Sequence, residues 1–544
     1  MRGVEAVAEI LRREGIEFLS CFPANSLIEA CAVAGIRPII CRQERVGVNL
    51  ADGFSRIAGG GRVGVFAMQA GPGAENAFAG VAQAYSDSVP ILLLPGGVDR
   101  REASVYPNFS SARSYQTVTK WVDQIVFADR IPELMRRAFT QLRSGRPGPV
   151  MLELPRDVAG EDIDESALEY EPVAPIRSAG DPRDVEAVAR SLVAAERPVI
   201  HAGQGVLYAE AWDELRELAE MLQAPVMSTM PGKSAFPEDH PLALGAGGAT
   251  TTRPVYQFLQ QADVVFGIGC SFSRSNFATP IPAGKTVLHA TNDPADVNKV
   301  YPTRHAIVGD AKLVLRQLCE AVRQDLPSGR DRAALQRELA DVKANWIEEW
   351  LPKLTSEQVP LNPYRVIWDL MHTVERRRTI VTHDSGSPRN QMTPFWESLK
   401  PKSYIGWGKS TQLGYGLGLT IGAKLAAPDK LAINVMGDTA FGMVGLDFET
   451  AVRSKVPILT IVLNNFAMAI ETPTLTVATE RYGTVYLSGN FAKVAEALGG
   501  YAERIEQPRE IVPALRRGIE AVEGGQAALL EFITSEETAY SRFR

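Results

Sequence analysis

The sequence predicts an α/β fold of three doubly wound parallel-sheet domains. Three observations carry that prediction. Short apolar runs alternate with amphipathic helical stretches, the alternation restarts twice after polar linkers, and 544 residues are several times the length of one domain.

In the first unit, residues 1–170, VEAVAEILRREG (4–15) has the 3.6-residue period of a helix. The runs EFLSCFP (17–23), PIICRQE (38–44), VGVFAMQAG (63–71) and PILLLPGG (90–97) predict strands, parallel because helical stretches separate them. GRPGPVMLELPRDV (145–158) and the acidic stretch that follows it mark a boundary near residue 175. The pattern restarts over 183–325, with strands at RPVIHAG (197–203), APVMSTM (224–230), ADVVFGIG (262–269) and KTVLHATND (285–293). The charged segment 328–354 predicts a helical connector. The third unit, 358–535, places strands at TIVTHD (379–384), KLAINVMGD (430–438), PILTIVLNN (457–465) and AALLEFIT (527–534), and 536–544 form a tail.

Composition narrows the function. A net charge of −7 with 45% hydrophobic residues describes an ordinary soluble protein, which excludes a nucleic-acid scaffold and a disordered chain. Apolar stretches such as 89–95 are too short to span a bilayer, so no membrane association is expected. The five cysteines form no CxxC pair, so neither a zinc site nor a disulfide framework is expected, and cytoplasm is the expected compartment.

The strongest chemical signal lies at 437–465, where Gly437-Asp438-Thr439 ends one apolar run and Asn464-Asn465 ends the next. A strand–helix–strand unit sets those two ends side by side, where open sheets hold ligands. An isolated Gly-Asp or Asn-Asn reads as a turn or a loop; their spacing on one such unit makes them a site. A carboxylate, an amide oxygen and a backbone carbonyl suit Mg²⁺ completed by phosphate oxygens and water. The amides after Asp438, those of Thr439 and Ala440, favour the phosphate.

With its GDT…NN spacing the segment resembles the metal motif of thiamine-diphosphate (ThDP) enzymes, with Thr439 where that family carries glycine. The resemblance implies Asp438, Asn465 and the Ala467 carbonyl as Mg²⁺ ligands, and it extends over most of the chain. It makes the three units a pyrimidine-binding, a central nucleotide-binding-like and a diphosphate-binding domain. Glu44, where PIICRQE meets a helix, resembles the glutamate that protonates the aminopyrimidine ring; alone it would read as a helix cap. QAGPGAEN, with Gly71, Gly73 and Asn76, resembles the family's cofactor turn, and Leu413 falls where a large apolar residue lies beneath the cofactor, core packing being its alternative. A homodimer or homotetramer is implied, because in the family the cofactor spans two subunits.

The loops point to a substrate class. The chain lacks two segments expected of acetolactate synthases, and SYQTVTK and NNFAMAIETPT instead resemble bacterial 2-hydroxyacyl-CoA lyases. That resemblance implies Glu471 as the base for a 2-hydroxyl and Tyr115 as a group orienting the thioester oxygen or a water. A helix cap and an interface aromatic are the alternatives. The expected reaction is cleavage of a 2-hydroxyacyl-CoA, a CoA thioester, to formyl-CoA and an aldehyde or ketone, and the reverse condensation. The alternatives are an acetolactate synthase-like enzyme or 2-oxoacid decarboxylase acting on pyruvate-type acids, and a non-catalytic partner protein. The tail, with Tyr540, Arg542, Phe543 and Arg544, is a candidate lid, fraying being the alternative. Asn292 or Asp293 in HATNDPADV is expected to bind the ribose of ADP, with FAD as the alternative.

Overall fold

Eighteen strands gather into three six-stranded sheets in this computed structural model, which describes residues 1–406 and 408–543. The first sheet contains β1 (Phe18–Phe22), β2 (Arg37–Ile40), β3 (Gly64–Met68), β4 (Ile91–Gly97), β5 (Trp121–Gln124) and β6 (Val150–Pro155), in the order β2-β1-β3-β4-β6-β5. The second contains β7 (Pro198–Ala202), β8 (Val226–Thr229), β9 (Ala243–Gly247), β10 (Val264–Ile268), β11 (Thr286–Thr291) and β12 (Thr303–Val308), ordered β12-β11-β10-β7-β8-β9. The third contains β13 (Thr379–His383), β14 (Tyr404–Ile405), β15 (Leu431–Gly437), β16 (Leu459–Asn464), β17 (Tyr501–Ile505) and β18 (Ala528–Ile533), ordered β14-β13-β15-β16-β18-β17. Every ladder between these strands is parallel. The expected fold class is therefore present: three α/β units with helices crossing over between parallel strands.

Central strands are apolar on both faces because helices cover both, as β3 and β10 show with every residue buried. In the first unit the helix Gly3–Arg13 buries Val4, Val7, Ile10 and Leu11 against the sheet and turns Arg12 and Arg13 outward. The segment between the second and third units forms the helix Ala333–Leu354.

One core spans two units. Ile39, Val46, Leu50 and Phe54 of the first pack with Leu417, Ile421, Met436 and Phe441 of the third. The helices Glu44–Ile57 and Tyr415–Ala426 approach so closely that a Cβ on Gly418 would lie 2.5 Å from the Val46 carbonyl oxygen, and a Cβ on Gly53 or Gly422 would run into the facing backbone. The same contact buries Arg56, whose guanidinium bonds Asp52 (2.6 Å), Asp87 (3.1 Å) and the Gly406 carbonyl (3.0 Å). Those three groups, from both units, are fixed to one cation.

The tail lies packed between the central and third units. The Tyr540 hydroxyl pairs with Ser387 Oγ at 2.9 Å, and Ser541 exchanges backbone and side-chain hydrogen bonds with Thr251. Phe543 stacks on Tyr256, and Arg542 lies over the Tyr540 ring; Arg544 lies outside the described residues, as does Trp407. Among the described residues no helix is long and apolar enough to cross a membrane.

Candidate active site

The diphosphate-type motif sits where the sequence spacing puts it. β15 and β16 pair in register with Gly437 opposite Leu463, so Asp438 and the Asn464-Asn465 pair leave neighbouring strand ends together. Asp438 opens the helix Asp438–Val444 and is buried; its Oδ1 accepts from the Thr439 amide at 2.6 Å and the Thr439 hydroxyl at 3.3 Å. Burial pushes its carboxyl above the usual carboxylate range, opposed by the amides of Thr439, Phe466 and Ala467. Those amides bring the two halves of the motif to one point. Asp438 Oδ2 is buried and has no hydrogen-bond partner.

The loop after β16 is tightly built. Phe466 has φ +59°, a left-handed conformation uncommon outside glycine, and its amide donates to Asn464 Oδ1 at 2.9 Å. Asn465 Oδ1 accepts from the Ala467 amide at 3.0 Å. Ala467 faces Tyr486 in an antiparallel bridge whose hydrogen bonds run from Met468 to Val485 and from Leu487 to Phe466, leaving the Ala467 carbonyl outside the ladder. Gly437 faces open space, Ala440 is buried in the shared core, and half-buried Leu413 packs on that core. The donors suit Mg²⁺ with a diphosphate: one buried carboxylate with an unbonded oxygen, an amide oxygen, a free carbonyl and open space beside Gly437. Among the described residues no cluster of three His, Cys, Asp or Glu side chains is placed to hold a metal by itself.

In the first unit Glu44 is the first residue of its helix and is buried; Asn76 Nδ2 donates to its Oε2 at 3.2 Å. A Cβ on Gly73 would lie 3.6 Å from Glu44 Oε1, which sets the glycine turn in van der Waals contact with the carboxylate. Gly71, at φ +65°, starts the helix Pro72–Ser86 in a conformation that favours glycine. The sequence-predicted Glu44, Gly71, Gly73 and Asn76 thus form one cluster.

Tyr115 stands behind this cluster rather than open to solvent. It is fully buried, its hydroxyl donates to the Ala74 carbonyl, and burial, then the nearby Glu44 charge, pushes its phenol up. Glu471 is exposed, and its backbone carbonyl accepts from Thr474 and Leu475 in the turn before the helix Thr476–Tyr482. The structure therefore engages the hydroxyl expected to orient a thioester, and places Glu471 at a turn.

Residues 42–45 also contact the third unit of the same chain. The Arg42 amide donates to Asp447 at 2.7 Å, and Arg45 lies beside Asp384 and Asp447, which oppose the lowering of its pKa by burial. Asp384, pushed up to about 6 by burial, accepts from the amides of Gly414 (3.0 Å) and Gly416 (2.8 Å) and so fixes the turn that carries Leu413. Neither Arg45 nor Asp384 was expected from sequence. An acid at the end of an apolar run, as in TIVTHD, is the one visible signal for Asp384.

A cavity of about 270 Å³ lies elsewhere, between the first and central units at the carboxyl ends of β7, β10 and β11, bordered by Arg146, His201, Phe272, Asn292 and Lys409. Asn292 Nδ2 donates to the Gly145 carbonyl at 2.9 Å, and Asp293 pairs with Arg146 at 2.8 Å. Asn292 borders the cavity while both residues clasp the 145–146 loop; Asp293 is not among the residues bordering the space.

Three family models match the chain: "Thiamine pyrophosphate enzyme, N-terminal TPP binding domain" over residues 1–125, the "central domain" of the same enzymes over 185–318, and their "C-terminal TPP binding domain" over 384–532. The chain is 31% identical to the "Probable acetolactate synthase large subunit" of Methanococcus aeolicus, over 99% of this chain and 93% of that protein. It is 28% identical to the "Acetolactate synthase isozyme 3 large subunit" of Escherichia coli K12, over 98% and 94%, and 27% identical to the "Glyoxylate carboligase" of Escherichia coli O157:H7, over 95% and 90%. These relatives favour the acetolactate synthase-like expectation over the 2-hydroxyacyl-CoA lyase expectation.

Proposed function

Because the chain belongs to the thiamine pyrophosphate enzymes, we propose that it is a carboligase acting on 2-oxo acids. One 2-oxo acid loses its carboxylate as CO₂, and the carbon left behind bonds to the carbonyl carbon of a second molecule, giving a 2-hydroxy ketone. The observation that supports this reading is similarity along nearly the whole chain to proteins named for two such condensations, joined to the Asp438 and Glu44 clusters.

ThDP, when bound, supplies the electron sink for the charge that appears as CO₂ leaves. Asp438, Asn465 and the Ala467 carbonyl would hold its Mg²⁺, and the open space at Gly437 would admit the diphosphate. Glu44 would hold a proton at the ring nitrogen of the aminopyrimidine, with Asn76 keeping the carboxylate in place. A nucleotide, ADP or FAD, is proposed for the central cavity, where Lys409 supplies positive charge and Arg146 is held by Asp293 and Asp296.

We propose further that the working unit is a homodimer or a dimer of dimers. Phe78 and Tyr85, on the helix beside Glu44, and Met443 and Leu446, beside Asp438, are exposed apolar residues that support such an interface.

The test is product analysis with ThDP and Mg²⁺ present. Pyruvate or glyoxylate should be consumed with release of one CO₂ per 2-hydroxy ketone formed. A second reading, cleavage of 2-hydroxyacyl-CoA, rests on the loop likeness around Glu471. Formation of formyl-CoA from a short 2-hydroxyacyl-CoA, with 2-oxo acids left untouched, would overturn the carboligase proposal in its favour.

A further inference from the structure

We infer that Glu531 is a positioning residue for the metal loop, acting through Asn464; this rests on the reading that the Asp438 loop holds Mg²⁺ and diphosphate. Glu531 lies on β18 in the apolar run ALLEFI, flanked by fully buried Leu529, Leu530 and Phe532, and is itself fully buried. A carboxylate in such surroundings is costly unless donors surround it. Two do so: Asn464 Nδ2 donates to Oε1 at 2.7 Å, and the Ala492 amide donates to Oε2 at 2.9 Å. Among the described residues no cation pairs with it.

The consequence falls on Asn464. Its amide group has one donating and one accepting end, so engaging Nδ2 with Glu531 commits Oδ1 to the opposite side. There Oδ1 accepts from the Phe466 amide and holds Phe466 at φ +59°. That left-handed residue separates Asn465 from Ala467, the two loop positions that would bind the metal. The backbone of Asn464 is held independently, by register with Ile533 and by the Thr534 amide (2.8 Å). Glu531 therefore acts on the side chain that shapes the turn, leaving the strand pairing to the backbone.

Replacing Glu531 by Gln leaves one of the two donors facing an NH₂ group, and Asn464 loses its fixed orientation. The test measures Mn²⁺ binding at saturating ThDP, by the free-Mn²⁺ electron paramagnetic resonance signal, with the apoprotein's melting temperature measured alongside. Glu531→Gln should weaken Mn²⁺ binding about 10- to 100-fold, the usual cost of disturbing the groups that orient a metal's ligands. The double variant Glu531→Gln with Asn464→Asp reverses the donor and acceptor while restoring every hydrogen bond, and should recover most of that loss. A merely structural role would lower and restore the melting temperature while leaving Mn²⁺ binding unchanged.

Mn²⁺ binding by Glu531→Gln equal to that of the parent would overturn the inference, as would a double variant that folds yet binds no better than the single one. If Glu531→Gln does not fold, the double variant decides: folding and Mn²⁺ binding recovered together support the inference, and any other result overturns it. A parent protein that does not bind Mn²⁺ with ThDP would instead sink the reading of the site itself.

Discussion

Glu44 and His201 are both buried titratable groups, and their surroundings give them different consequences. Glu44 has Asn76 as its hydrogen-bond donor and the Gly73 turn beside it, an arrangement suited to meeting a ring nitrogen. Glu44→Gln should retain ThDP and Mn²⁺ binding, because the metal loop is untouched, while turnover falls about 10²- to 10⁴-fold, the usual worth of a positioned acid or base. Hydrogen–deuterium exchange at the thiazolium C2 of bound ThDP, followed by NMR, should fall in parallel. His201, on β7 at the wall of the central cavity, has neither ring nitrogen bonded, and burial lowers its pKa to about 4. The unfolded chain takes up a proton at His201 near pH 6.5 and the folded chain only near 4, so the unfolded state binds more protons between those values. Stability from this group is fully present above pH 6.5 and is lost as pH falls, by about 3 kcal/mol across the window. Asp384, raised to about 6, works in the opposite direction, its contribution being largest in acid and lost as pH rises through 6. The difference between parent and His201→Leu therefore isolates the histidine: going from pH 7 to 4.5 should cost the parent about 2–3 kcal/mol more stability than it costs the variant, read from urea unfolding at both pH values.

At the scale of elements, sequence patterning recovered the buried strands best. β1, β3, β4, β7, β10, β15 and β16 are interior strands written as apolar runs because helices cover both faces. β5, β12 and β17 are edge strands whose residues are mostly half-exposed, so they carry no continuous apolar signal and escape the patterning. So do β14, which has two residues, and β9, whose ALGAG sequence lacks the branched and aromatic side chains that mark a strand. β6 reads as a boundary because prolines and glycines bracket it. The packing of Glu44–Ile57 on Tyr415–Ala426 was not legible either, since the glycines that permit it lie hundreds of residues apart. That contact gives a prediction of its own. Gly422→Ala directs a methyl group into the Leu50 backbone carbonyl, which cannot move aside as a side-chain end would, and should cost about 1–3 kcal/mol or more. The facing helix, which carries Leu50, begins with Glu44, so ThDP affinity should fall together with the apoprotein's melting temperature. An unchanged affinity in a destabilised variant would separate the helix contact from the site.

For the whole molecule, the motif residues were legible because each half of the proposed site is local in sequence: Glu44 to Asn76 in one unit and Asp438 to Ala467 in the other. A single chain contains one of each half, and a site formed within one chain behaves differently on mixing from a site shared between two. If the cofactor lies between subunits, Glu44 of one chain works with Asp438 of the other, and mixing two inactive variants becomes decisive. Glu44→Gln homodimers lack the acid in both sites, and Asp438→Asn homodimers lack the metal carboxylate in both. A mixed dimer places both defects in one site and leaves the other with an intact Glu44 and an intact Asp438. Random 1:1 reassociation of a closed two-fold dimer should then restore about a quarter of the parent activity. If both halves of a site came from the same chain, every site would carry one defect and mixing would restore nothing. Activity that appears on mixing, scales with the fraction of mixed dimers and vanishes under dilution that separates subunits would mark the site as shared.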